Sequence, residues 1–169
     1  MQLNHYNSKF KTQEFPIVLI TTNVIRPANI GSLFRLADAF GVKKLILGGT
    51  KIELNRKVWN TARSTEKVVD FQQIEDLPAL ILNLKKENYS IISLEITQHS
   101  QPITELDFNA GQKIALIVGS ERYGIDSEIL QLSDSIFHIE MFGQNTSMNV
   151  AQAASIALFK LTTAIQDAK

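Results

Sequence analysis

The sequence predicts an α/β protein built on a mostly parallel sheet with helices on both faces. Three observations carry this reading. Short runs rich in Val and Ile recur along the chain, longer segments of helical period separate them, and the middle runs are apolar at successive positions. Strands buried on both faces read that way in parallel sheets, whereas half-exposed antiparallel strands alternate. The β-then-α order further implies right-handed crossovers in a layered fold.

The first strand is PIVLIT, Pro16 to Thr21, and a helix is expected over Ile30 to Phe40, where Ile30, Leu33, Phe34 and Ala37 share one face. KLILGG, Lys44 to Gly49, is the second strand, closed by paired glycines. Asn55 to Lys67 shows neither period and reads as loop with some helix. A helix over Glu75 to Asn88 then precedes two further strands, YSIISLEI (Tyr89 to Ile96) and KIALIVG (Lys113 to Gly119). A short helix over Ser127 to Leu132, a strand SIFHIE (Ser135 to Glu140) and a long helix over Met148 to Gln166 complete the chain. No repeat or linker divides it, so residues 1–169 are expected to form one domain, with 1–15 a short N-terminal arm.

Composition narrows the function classes. A chain of 169 residues, 44% hydrophobic and 20% charged, has the make-up of a globular protein that needs no staples. No apolar run approaches the ~18 residues of a membrane span, and MQLNHYNSKFKTQEF lacks the apolar stretch of a signal peptide. The absence of cysteine excludes disulfides, thiolate metal sites and cysteine nucleophiles. A cytoplasmic location is the expectation. His5, His99 and His138 are scattered without ligand spacing, so no metal is expected. Net charge is zero but uneven: through Lys67 there are eleven Lys/Arg against four Asp/Glu, and from Val68 onward six against thirteen. Such asymmetry can place a basic surface on a neutral protein, as steering towards phosphate requires.

Three segments break pattern where ligands bind in open α/β sheets, beyond the carboxyl ends of the strands. In TTNVIRPANIGSLFRLADAFG, Asn29 is placed to cap a helix, and Arg35 interrupts the apolar face one turn further in, an arrangement suited to an anion. It is equally a capped helix with Arg35 paired to Asp38. VGSERYGID brackets Glu121 and Arg122 with glycines after a strand, so backbone can approach a ligand closely. In NTSMNVAQAAS, Ser147 could cap the last helix with Asn149 in its first turn, and the alanines predict close packing against a neighbour. The dinucleotide and P-loop glycine fingerprints are missing, and Ser147 has no histidine partner for a hydrolase triad.

The order and spacing of NIGSLFRLADAFGV, IVGSERYGI and IEMFGQNTSMNVAQAASIALF resemble the three motifs of the SpoU (TrmH) family of RNA ribose 2′-O-methyltransferases, in the SPOUT superfamily. The resemblance runs from about Pro16 to Leu161 and implies the SPOUT fold, an α/β sheet with a deep C-terminal trefoil knot. It implies a homodimer that binds S-adenosylmethionine and methylates transfer or ribosomal RNA. Carried onto this chain, it assigns Leu94, Gly119, Ile139 and Met148 to the cofactor. The family's motif arginine, asparagine and glutamate match Arg35, Asn29 and Glu121, and its last-motif serine and asparagine match Ser147 and Asn149. Glu140, Met148 and Ala151 stand where the family usually has Pro, Leu and Ser. A base methyltransferase of the same superfamily and a non-catalytic RNA-binding module stay open as alternatives.

Overall fold

The computed structural model describes residues 11–107, 109, 111–120 and 122–168. Seven strands form one sheet in the order β3-β2-β1-β6-β4-β7-β5, every pairing parallel. In chain order the elements are β1 (Phe15–Thr22), α1 (Pro27–Ala39), β2 (Val42–Gly48), α2 (Arg56–Ala62), β3 (Phe71–Ile74), α3 (Leu77–Lys86), β4 (Tyr89–Leu94), β5 (Gln101–Pro102), β6 (Lys113–Val118), α4 (Ser127–Leu132), β7 (Ser135–His138) and α5 (Val150–Asp167).

Strand side chains alternate between two cores. Ile17, Leu19, Leu45, Ile114 and Leu116 meet α1, α2 and α5 on one face. Val18, Ile20, Ile46, Ala115 and Ile117 meet α3 and α4 on the other. Both faces are therefore covered, which is why β1 and β6 carry continuous apolar runs. The alanines of α5 behave as their size demands: Ala154 and Ala157 are fully buried in the first core, and the helix packs on α1. Among the described residues, no helix is long and apolar enough to cross a membrane.

Several local readings need correction. The helix after β1 begins at Pro27 rather than Ile30, with Arg26 at its N-cap and no side-chain cap. Proline at the first position presets the helical φ and has no amide to satisfy, so Asn29 is freed from capping and lies in the first turn. At α5 the cap is Asn149, not Ser147: the amides of Ala151 and Gln152 donate to Asn149 Oδ1 at 2.9 and 3.4 Å. Asn55 to Lys67 is largely ordered as α2, capped by Asn55, and a short 3-10 turn over Thr65–Lys67. Two edge strands, β3 and β5, were not expected, and they extend the sheet on either side.

Candidate active site

The loops that leave β4, β6 and β7 gather at the carboxyl end of the sheet, because these strands are neighbours and point the same way. A pocket opens among them. Leu94, Gly119, Ile139 and Met148 all line it, and Ser147 lies at the same wall. These residues come from three loops far apart in sequence.

The loop after β6 is a tight hairpin. Ser120 and Gly124 exchange backbone hydrogen bonds at 3.2 and 2.9 Å, and the Tyr123 amide donates to Ser120 Oγ at 3.2 Å. A Cβ at Gly119 would collide with the Gly124 backbone, and Gly124 itself has φ +67°, with Glu95 Oε2 only 2.5 Å from where its Cβ would sit. Only glycine fits these constraints without strain. Gly124→Ala is accordingly expected to lower thermal stability by about 1 to 2 kcal/mol and to weaken binding of a ligand in this pocket at least about tenfold. Calorimetry beside a melting curve checks both. Glu121 lies outside the described residues.

On the other side of Met148 a groove runs between α1 and α5, lined by Ser32, Arg35, Asn149, Gln152 and Ile156 among others. Arg35 is exposed on α1 and forms no ion pair with Asp38 or any other described carboxylate. Asn149 ties the two helices: its Oδ1 is committed to the α5 amides, so its Nδ2 donates to Asn29 Oδ1 at 3.0 Å. Asn29 is buried, at 7% exposure, and its own Nδ2 has no partner. An unsatisfied buried donor is rare and tends to mark functional sites.

The two clefts differ in charge. Among the described lining residues, Glu95 is the single charged side chain of the pocket and Arg35 that of the groove. Further basic side chains lie near α1: Arg26 at its N-cap, with Arg56, Lys57, Arg63 and Lys67 on α2 and the turn that pack against it. All are exposed and none is ion-paired among the described residues. The uneven charge of the sequence thus becomes a set of exposed basic side chains on α1, α2 and the turn that follows it. No cluster of three His, Cys, Asp or Glu side chains occurs among the described residues.

The SpoU rRNA methylase family matches residues 16–159 of this chain. The chain belongs to that family. Among curated SpoU relatives, the 23S rRNA (guanosine(2553)-2′-O)-methyltransferase RlmP of Bacillus subtilis is 32% identical over 85% of this chain and 57% of its own length. The tRNA (guanosine(18)-2′-O)-methyltransferase of Saccharomyces cerevisiae is 24% identical over 96% of this chain but only 11% of its own. The chain therefore spans about half, or far less, of these relatives. Among solved structures, the A. aeolicus TrmH/SpoU tRNA modifying enzyme superposes with TM-score 0.83 at 23% identity, covering 92% of this chain and 78% of that one. An AdoMet-bound rRNA methyltransferase from Sinorhizobium meliloti gives 0.80 at 20% identity, covering 89% and 57%. These likenesses establish the SpoU fold of the sheet.

Of the residues that the motif resemblance assigns, Leu94, Gly119, Ile139, Ser147 and Met148 line the pocket and Arg35, Met148 and Asn149 the groove, whereas Glu95 of the pocket was not among them. It lay hidden inside YSIISLEI, read as strand through Ile96; β4 in fact stops at Leu94. A charged residue at the carboxyl end of an apolar strand was the available signal. His138 also lines the pocket, with Nδ1 3.0 Å from Ser100 Oγ. That hydroxyl donates to Thr97 O at 2.9 Å, so Nδ1–H is the donor in the His138 bond.

Proposed function

We propose that this chain is an S-adenosylmethionine-dependent methyltransferase acting on a ribose 2′-hydroxyl of transfer or ribosomal RNA, in the cytoplasm and as a homodimer. The observation that carries this is the pair of clefts of opposite charge on either side of Met148. One holds a carboxylate among apolar walls and tight backbone, which fits a cofactor with an adenine ring and a cationic sulfonium. The other offers a free guanidinium, which fits a phosphodiester. The two needs of an RNA methyltransferase thus meet at one residue.

When bound, the cofactor supplies an activated methyl group, so the protein's share is positioning and charge stabilisation. Arg35 clamps the phosphate beside the target ribose and stabilises negative charge growing on the 2′-oxygen. A guanidinium holds its proton too tightly to serve as a base, and a phosphate oxygen or water takes the proton. Asn149 and Asn29 hold α1 against the start of α5, which fixes Arg35 relative to the pocket. Met148 and Ser147 form the wall between cofactor and ribose. By its place in the family motif, Glu121 is assigned to the same site. Tyr123 and Phe142, exposed at the same edge, offer faces on which unpaired bases stack.

The dimer is supported by apolar surface on α5, where Ile156 and Phe159 are 40% and 64% exposed. The trefoil knot belongs to the same reading, in which residues 139–149 thread between the loops after β4 and β6. Residues 11–168 on one sheet support a single domain. The test is transfer of labelled methyl from S-adenosylmethionine to RNA from cells lacking the protein, followed by digestion and nucleoside mass spectrometry. A 2′-O-methylated nucleoside is expected. Label on a base, or cofactor binding with no transfer to any RNA, overturns the proposal.

A further inference from the structure

Glu95 does more than line the pocket. Its carboxylate is fixed from two directions: the Ile125 amide donates to Oε2 at 2.9 Å and the Ile96 amide to Oε1 at 3.0 Å. Its own amide donates to Phe137 O at 2.9 Å, so strand, glycine loop and carboxylate form one frame. Two hydrogen bonds leave about half of a carboxylate's acceptor capacity free. No Lys or Arg lines the pocket among the described residues, and Glu95 forms no ion pair there. A partly buried carboxylate among Leu94, Val118 and Ile139 carries a desolvation cost that a cation offsets.

That charge acts unequally on the two forms of the proposed cofactor, and the inference rests on that proposed reading. In the transfer, the methyl–sulfur bond breaks with its electron pair left on sulfur, a methyl–oxygen bond forms, and the 2′-hydroxyl proton passes to a phosphate oxygen or water. S-adenosylhomocysteine keeps the adenine, ribose, amino and carboxylate groups and loses the sulfonium charge. We propose that Glu95 makes the pocket prefer the sulfonium over the thioether, so that spent cofactor is held less tightly than fresh cofactor. Since a Coulomb term between fixed groups in a partly desolvated site readily changes affinity about tenfold, the effect is large enough to measure.

The experiment is titration calorimetry of the full chain with S-adenosylmethionine and, separately, S-adenosylhomocysteine, for the natural protein, Glu95→Gln and Glu95→Asp, with circular dichroism to confirm folding. Glu95→Gln is expected to weaken S-adenosylmethionine about tenfold more than S-adenosylhomocysteine. Glu95→Asp keeps the charge but shortens the arm, so both ligands should weaken by a similar factor. Equal weakening of both ligands by Glu95→Gln overturns the inference and leaves Glu95 as a strut of the glycine loop. Failure of the natural protein to bind either ligand overturns the methyltransferase reading itself, a different result from equal weakening.

Discussion

Arg35→Ala is expected to lower methyl transfer by about a hundredfold to a thousandfold while affinity for S-adenosylmethionine stays within about twofold. The asymmetry follows from the placement of the side chain. Arg35 sits on the exposed side of α1 in the groove, and Met148 separates it from the cofactor pocket. It makes no ion pair among the described residues, so its removal strands no partner and costs about 0.5 kcal/mol of stability or less. What it loses is a planar fork that can hold a phosphate and face growing negative charge. Arg35→Lys keeps the charge without the fork and should recover only part of the rate. Single-turnover rates beside calorimetry separate the two quantities. An Ala variant that transfers methyl at near the natural rate would remove Arg35 from the chemistry.

Asn149→Ala is expected to destabilise the protein by about 2 to 4 kcal/mol and to disorganise the groove. Two losses combine. The cap of α5 goes, at about 1 kcal/mol, because the Ala151 and Gln152 amides lose their acceptor. The buried Asn29 side chain then loses its one hydrogen bond among the described residues, and stranding such a group costs about 1 to 3 kcal/mol more. Asn149→Ser separates these terms, since serine can cap the helix but is too short to donate to Asn29. Its stability should fall between the two, with a transfer rate as low as that of the alanine variant. Urea denaturation gives the stabilities and labelled-methyl transfer gives the rates. A serine variant with unchanged activity would show that the bond between the helices serves stability alone.

The central sheet was legible because its strands announce themselves. β1, β6 and β4 are buried on both faces over most of their length, so apolar residues dominate them, with Thr21, Thr22 and Ser93 as buried polar exceptions. The edges were not. β3 reads Phe71-Gln72-Gln73-Ile74, and β5 is only Gln101-Pro102. Edge strands answer to one neighbour, can carry polar residues or proline, and so leave little pattern to read. α2 is seven residues long with Val58 and Ala62 as its buried positions, too short for a period to emerge. The starts of α1 and α5 shifted because Asn29, Ser147 and Asn149 are all residues that cap helices, and local chemistry does not choose between them. The three family motifs were recognisable as a set in the sequence. The bond from Asn149 to Asn29 was not, because it joins positions 120 apart. Glu95 escaped for a related reason: its importance lies in reaching Ile125, across the gap between two strands.

The position of β1 bears on how the chain acquires its shape. This strand lies between β2 and β6, yet β6 does not begin until Lys113. During synthesis, therefore, one edge of this largely apolar strand emerges long before the strand that pairs with it. The loop closure that brings them together is entropically costly, so folding is expected to be slow for a chain of this length. The N-terminal half waits with an open edge, vulnerable to pairing with another copy. The pocket waits longer still, because its last wall comes from residues after β7. A ribosome-bound chain truncated before Ser135 would carry Arg35 and the glycine loop without a place for cofactor.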